Sequence, residues 1–257
     1  MQDTISYEQP LNERIRALMR LEFLFQQASH ATTGQSAWDT RAALPALFDI
    51  LDLTAGRNEL KSELLKELER QSNTLGRLSQ SPGVDAGTLN AILEELRQVS
   101  KSVHELNNAS LEKVRQNDFL VAIRQRSSIP GGACIFDLPS LHYWLQKHPS
   151  TRSRYLTDWL RPFQPIQEGV RLILHLIRSS AIPSEEIAAQ GFFQKTLDSG
   201  APSQMVRVTL PAESGVFPEI SGGRHRFSIR FMEQPNPNTR AIQSSREVFF
   251  QLACCVI

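Results

Sequence analysis

The sequence predicts an α+β fold, with an N-terminal antiparallel helical domain followed by a C-terminal antiparallel β-sheet domain. In the first two-thirds of the chain, apolar residues recur every three or four positions, as they do on one face of a helix. From Gln204 onward the period falls to two, and turns rich in Pro, Gly and Asn separate the apolar runs, which is typical of antiparallel strands. These patterns predict a helical domain over 9–182 and a β domain over 183–257.

The predicted helices follow from caps and apolar spacing. The first begins after Pro10, where Asn12 is a suitable N-cap, and it carries Arg16 and Arg20 one turn apart on its polar side. Pro45 predicts a kink or break in the second helix. The remaining helices are predicted from apolar residues on one helical face and, at Asp85, from a suitable N-cap. The predicted helices after the first are 37–53, 58–78, 85–106, 110–126, 139–147 and 151–179.

Three alternating runs predict the strands of the C-terminal domain, over 205–210, 226–231 and 247–252. Three strands alone make a thin sheet, so we expect others to come from elsewhere in the chain. The candidates are the N-terminal segment 3–8, which would join the C-terminal sheet, and the short run 133–136.

Composition and charge exclude several classes of protein. The 257 residues carry 28 basic and 27 acidic side chains, and this near balance excludes a strongly basic nucleic-acid binder of the histone type. No apolar run approaches the roughly 20 residues that a membrane span needs. The N-terminus lacks the pattern of a secretory signal, and three cysteines are too few for a disulfide framework. We therefore expect a cytoplasmic protein that does not associate with membranes.

The sequence carries no motif for catalysis or cofactor binding. The GxxxxGK[ST], GxGxxG and GxSxG patterns are absent. His142 and His148 are six residues apart, which does not put them on one helical face as zinc ligands. Cys134 is better explained as a small buried hydrophobe than as a nucleophile. We expect no enzyme activity, no cofactor and no metal site.

The arginines are the most informative residues chemically. Only six of the 28 basic residues are lysines, and the other 22 are arginines, whose planar guanidinium groups suit carboxylates and phosphates. Arg224, Arg226 and Arg230 share one side of a predicted strand, with about 13 Å between Arg226 and Arg230. Such a row needs an anionic partner, which is either an external molecule or the protein's own Glu219 or Glu247.

Two functions other than protein binding also remain open on the residues alone. A row of arginines suits the phosphate backbone of nucleic acid, so an Arg-rich nucleic-acid-binding protein is the alternative function. An enzyme is a more distant alternative, because it would need a catalytic cluster that forms only in three dimensions.

Several strings of residues resemble those of one protein family. The most specific are Ser128-Ile129-Pro130-Gly131-Gly132 and Phe136-Asp137-Leu138-Pro139, and Pro218-Glu219-Ile220-Ser221-Gly222 follows near the end of the chain. With the opening Pro10-Leu11-Asn12-Glu13, these strings resemble the ZapD (YacF) family of bacterial Z-ring-associated cell division proteins over nearly the whole chain. The resemblance implies a helical domain, a β-sandwich-like domain and a symmetric homodimer formed largely through helices.

The resemblance also implies a function. Members of the family are non-enzymatic partners of FtsZ, the tubulin-like GTPase of the division septum, and they bind its short C-terminal tail and bundle its filaments at mid-cell. The family's basic tail-binding residues correspond here to Arg20, Arg57, His142, Arg226 and Arg230.

One basic position of the family is not matched. A further family arginine falls near Asp118 or Phe119 in this sequence, where Arg115 and Arg124 are close enough to substitute. The candidate tail-binding set combines the family's positions with neighbouring arginines of the first predicted helix, of the predicted helix 110–126 and of the strand row. It consists of Arg16, Arg20, Arg57, Arg124, Arg126, His142, Arg224, Arg226 and Arg230.

Overall fold

The computed structural model describes residues 3–54, 58–80, 83–198, 200 and 202–257. The chain divides into two compact units, which we call the strand unit and the helical unit. The strand unit combines the residues up to Met19 with Ile173–Ile257, and the helical unit is Arg20–Leu172. Helices and antiparallel strands thus occur as the sequence predicts, and the α+β fold is confirmed.

The helices lie mostly in the first two-thirds of the chain. Short 3-10 turns at Arg77–Gln80 and Arg161–Phe163 follow two of them. The α-helices are α1 (Glu13–Thr33), α2 (Ala37–Thr54), α3 (Asn58–Gly76), α4 (Ala86–His104), α5 (Asn108–Arg115), α6 (Asp118–Ser127), α7 (Pro139–Leu145), α8 (Pro149–Leu160) and α9 (Gln164–Ser179).

Two predicted caps are confirmed. The Asn12 side chain accepts a hydrogen bond from the Ile15 backbone N–H at 2.9 Å, and the Asp85 carboxylate accepts from two backbone N–H groups at the start of α4. Helix α2 continues through Pro45 without a break. Polar caps and prolines explain why two long predicted helices are each divided. Asn117 caps α6, so the predicted helix 110–126 is divided into α5 and α6. Pro162 interrupts the predicted helix 151–179 in the same way.

The strands form two antiparallel sheets, which we call sheet A and sheet B. Sheet A has the order β1-β4-β8-β2, so the N-terminal strand joins the C-terminal sheet as predicted. Sheet B has the order β3-β6-β5, and β7 pairs with the end of β6. The strands are β1 (Thr4–Pro10), β2 (Ser184–Ala188), β3 (Phe192–Thr196), β4 (Met205–Pro211), β5 (Phe217–Gly222), β6 (Arg226–Glu233), β7 (Ile242–Gln243) and β8 (Val248–Cys255).

The expected strand at 133–136 is wrong, because this segment is a series of tight turns. Gly131, within this series, has φ of 74°, a conformation that favours glycine. The Cys134 N–H donates to the Gly131 carbonyl at 3.1 Å, and the Leu138 N–H donates to the Cys134 carbonyl at 3.0 Å. These local bonds use the backbone groups that a sheet would need.

The core of the strand unit lies between the two sheets. Phe227, Ile229 and Phe231 of β6 face it, and the Phe231 and Phe250 rings lie 4.9 Å apart between centroids. Alternate residues of β6 therefore point away from the core. A tight corner joins the sheets: Gly191 has φ of 65°, and a Cβ there would meet the Ser244 carbonyl oxygen at 2.4 Å.

The helical unit is stabilised by a buried arginine as well as by apolar packing. Arg152 on α8 is 5% exposed and donates hydrogen bonds to the Thr40 hydroxyl at 3.0 Å and to the carbonyl of Gln35 at 2.7 Å. It also donates to the carbonyls of Leu145 and Lys147. One guanidinium thus joins α2, α8 and the α7–α8 connection.

Candidate functional site

The outer face of sheet B carries the predicted row of arginines. Because Phe227, Ile229 and Phe231 face the core, Arg226 and Arg230 must face the opposite side, and both are exposed. Arg224 lies just before β6 in the β5–β6 hairpin and is exposed as well. The structure therefore brings these three predicted residues together on one strand and its turn.

A shallow concave surface of about 490 Å³ adjoins the row at the hairpin end of sheet B. Two of the three arginines of the row, Arg224 and Arg226, line it, so their guanidinium groups can reach a ligand held there. Its lining residues are Gln194, Ser221, Gly222, Gly223, Arg224, His225, Arg226, Phe227 and Ser228.

The charges of the row are not neutralised within the described residues. Glu219 on β5 is the cross-strand partner of Arg230 on β6, but no ion pair joins the two side chains. Glu247, the other acidic residue considered above, forms none with the row either in the ranges that the structure describes. Arg226 and Arg230 are thus available to an external anion.

The neighbouring strand β3 completes this face. Its register pairs Phe192 with Arg230 and Thr196 with Arg226, with Gln194 between them opposite a serine. Phe192 is 42% exposed, so an apolar ring stands beside a cation on the same face. This combination suits a ligand that carries both carboxylates and apolar side chains. Strand β3 was not predicted, because Gln194, Lys195 and Thr196 are consecutive polar residues that show no apolar alternation.

Three other predicted arginines already have acidic partners. Arg16 Nε lies 3.1 Å from a Glu13 carboxylate oxygen on the same helix, and Arg124 is bound to Asp52. Arg126 Nη1 lies 3.8 Å from an Asp137 carboxylate oxygen. Arg115, the other substitute considered for the unmatched family position, is paired with Glu112 at 2.7 Å. These residues are less available to an external anion than the β6 row.

The remaining predicted residues are distributed over the helical unit. Arg20 on α1 is exposed and forms no ion pair among the described residues, and His142 on α7 is half-buried. Arg57 lies outside the described residues. The helical unit therefore offers Arg20 and His142 as accessible members of the predicted set.

An aromatic cluster that includes Trp144, two residues after His142 on α7, was not predicted. The Trp144 and Trp159 rings lie 5.7 Å apart between centroids, and Tyr155 packs 5.9 Å from Trp159. Phe119 joins the cluster 5.5 Å from Trp144. The spacing of Tyr155 and Trp159, four residues apart on α8, was the signal in the sequence. Trp144 is buried, whereas the Tyr155 ring is 38% exposed and can contact an apolar side chain of a ligand.

The described residues were also compared with the requirements of a metal centre, and two of the cysteines with those of a reactive thiol. No three His, Cys, Asp or Glu side chains of the described residues are grouped so that they could hold a metal ion. Burial raises the pKa of the Cys255 thiol to about 11, and burial also raises that of Cys254, which disfavours the reactive thiolate. No described helix is both long and apolar enough to cross a membrane.

Comparison with known proteins shows the family. The family model described as "ZapD: Cell division protein" matches residues 19–230. The chain is 43% identical over 257 residues to the cell division protein ZapD of Methylococcus capsulatus, with 100% of both chains covered. It is 41% identical to that of Aromatoleum aromaticum, covering 99% of this chain and 98% of the relative. For the protein of Dechloromonas aromatica the identity is 40%, covering 98% of this chain and 99% of the relative. The chain therefore belongs to the ZapD family of cell division proteins.

Proposed function

We propose that this protein binds the C-terminal tail of FtsZ and, as a homodimer, crosslinks and bundles FtsZ filaments in the cytoplasm at mid-cell. The observation that carries the proposal is the exposed pair Arg226 and Arg230, which forms no ion pair among the described residues. Membership of a cell division family supports it, since that role needs a partner in the division machinery.

The mechanism follows from the chemistry of the arginine row. A guanidinium group can hold a carboxylate through two parallel N–H···O bonds, and the exposed Phe192 ring offers an apolar contact beside Arg230. Each tail contact is weak, about micromolar in affinity. A two-fold dimer presents two binding sites and a filament presents many tails, so avidity replaces single-site strength. Crosslinking then needs no chemical step.

The direct test measures binding of a synthetic FtsZ C-terminal peptide by fluorescence anisotropy. We expect Arg226→Glu/Arg230→Glu to weaken binding by about tenfold or more, because two charge-assisted contacts become repulsive. The matched control is Arg77→Glu/Lys113→Glu, which makes the same charge change at two exposed cations outside the candidate set. Circular dichroism checks that both variants fold. Equal affinity of both variants would refute the assignment of the site.

Two further measurements test the rest of the proposal. Light scattering coupled to size-exclusion chromatography should report a dimer, and a strictly monomeric protein would refute the crosslinking mechanism. A gel-shift assay with and without the tail peptide tests nucleic-acid binding, which an arginine row also suits. Nucleic-acid binding that the peptide does not displace would favour that alternative.

A further inference from the structure

The hydrogen-bond phase of β3 fixes which of its backbone groups face outward. The Leu197 N–H donates to the His225 carbonyl at 2.8 Å, and the Phe231 N–H donates to the Gly191 carbonyl at 2.8 Å. In an antiparallel pair, hydrogen-bonded positions alternate along the strand. The odd-numbered residues of β3 therefore bond to β6, and the N–H and C=O groups of Gln194 and Thr196 point to the opposite side.

That opposite side is an open sheet edge. Strand β3 pairs only with β6 in the described sheet, and Gln194 and Thr196 are both exposed. The one lysine of the strand, Lys195, points to the other face, where it bonds to Glu186 at 3.0 Å, so it does not cover this edge. Two consecutive outward positions thus offer two donors and two acceptors to another extended chain.

The other edge of sheet B, β5, is protected. The Gly223 N–H donates to the Arg226 carbonyl at 3.1 Å, so the odd-numbered residues of β5 bond to β6. The backbone N–H and C=O positions of the even-numbered residues therefore point away from β6, to the edge of the sheet. One of these is Pro218, which has no N–H to offer, and another is Gly222, whose Cβ position lies 2.9 Å from the Leu11 side chain. Proline on an outward edge position is a common protection against strand pairing. Of the two edges of sheet B that the structure describes, the β3 edge is therefore the better suited to accept a strand.

The open edge lies beside the arginine row. Thr196 and Arg226 are cross-strand partners, as are Phe192 and Arg230. A strand added to β3 would run about 10 Å from β6, which is two strand spacings. An arginine and an acidic side chain together span that distance on the shared outer face. A chain on this edge would therefore meet cations at Arg226 and Arg230 without displacing β3.

We propose that the β3 edge is a strand-addition site, where an acidic peptide segment pairs in extended form with Gln194 and Thr196 and directs carboxylates toward Arg226 and Arg230. This inference rests on the proposed function, whose occupant is the FtsZ tail. Backbone pairing supplies affinity that depends little on sequence, and the arginines and Phe192 supply the selectivity.

The test uses tail peptides that carry a single backbone N-methyl group at successive positions, with anisotropy as the readout. A methyl group on an N–H that pairs with β3 removes a hydrogen bond and blocks the approach of the strands. Alternating loss and retention of binding along the peptide is the expected result. On the protein side, Gln194→Pro removes one outward N–H and should weaken binding about tenfold, whereas Gln194→Ala keeps the N–H and should not.

The outcomes separate the two proposals. If every N-methylated peptide binds as the unmodified peptide does, while Arg226→Glu/Arg230→Glu still abolishes binding, the strand-addition site is refuted and the proposed function stands. If the unmodified peptide fails to bind at all, both are refuted. The peptide scan uses the wild-type protein, so its result does not depend on whether Gln194→Pro folds.

Discussion

Glu219 and Arg230 occupy directly opposed positions on β5 and β6, yet no ion pair joins them among the described residues. Opposite charges at such positions usually attract across the sheet. Both side chains are exposed, so water screens the attraction. The carboxylate still lies near the candidate site, where it would repel an acidic ligand.

We predict that Glu219→Gln strengthens binding of the FtsZ tail peptide about two- to threefold, because it removes a like charge at a screened distance from the ligand. Fluorescence anisotropy at low salt is the measurement. Glu213→Gln removes an exposed carboxylate from the β4–β5 turn and serves as the control. Weaker binding by Glu219→Gln would contradict the account, since it would give this carboxylate an attractive role.

Bundling of FtsZ filaments by the purified protein should weaken as salt increases. The proposed contacts are partly exposed ion pairs, and the screening length falls from about 10 Å at 0.1 M salt to about 3 Å at 1 M. Sedimentation of bundles over a salt series is the measurement, with filament formation in the absence of this protein as the control. Bundling that is unchanged up to several hundred millimolar salt would rule out a mechanism based on arginines.

Arg152→Ala should destabilise the fold by about 3 kcal/mol or more, because it removes a buried guanidinium that donates to the Thr40 hydroxyl and to three carbonyl groups. Urea denaturation followed by circular dichroism measures the free energy of unfolding. Arg154→Ala, an exposed position two residues further along α8, should change it by less than about 0.5 kcal/mol. Similar values for the two variants would show that the buried hydrogen bonds of Arg152 contribute little.

The pH dependence of Glu94 tests the hydrogen bonds that its carboxylate accepts. Hydrogen bonds from Arg97 and then from Gln98 lower the pKa of its carboxyl from 4.5 to about 2. Since the folded pKa lies below the unfolded one, the stabilising contribution is present above pH 4.5 and is lost as pH falls from 4.5 to about 2. Carboxyl NMR shifts should show this titration, and Arg97→Gln should move it upward. An unchanged midpoint in that variant would exclude Arg97 as the main cause.

The sequence predicts β4, β6 and β8, which have one buried face, and misses the edge strands β2, β3 and β5. In β6, Phe227, Ile229 and Phe231 alternate because one face meets the core. Strand β2 contains Glu185 and Glu186 and has little buried surface, so its sequence resembles that of a loop. Pairing with β8, which is distant in the chain, determines this strand.

The candidate site is also predictable only in part: the face on which its arginines lie can be predicted, and their ion-pair partners cannot. Alternation alone puts Arg226 and Arg230 on one exposed face, and the structure has them there. Which carboxylates pair with Arg124 and Arg126 depends on tertiary contacts with Asp52 and Asp137, which spacing cannot give. The outward direction of the Gln194 N–H likewise depends on the register between β3 and β6.

The corner at Gly191 bears on the rate at which the proposed tail capture would occur. Its N–H donates to the Arg246 carbonyl at 2.9 Å and its own carbonyl accepts from Phe231, so the start of β3 is held on both sides. In the proposed docking, an edge anchored at its start needs little ordering, so the tail bears most of the loss of conformational freedom. Encounter with the tail, and not rearrangement of the protein, should therefore limit the association rate.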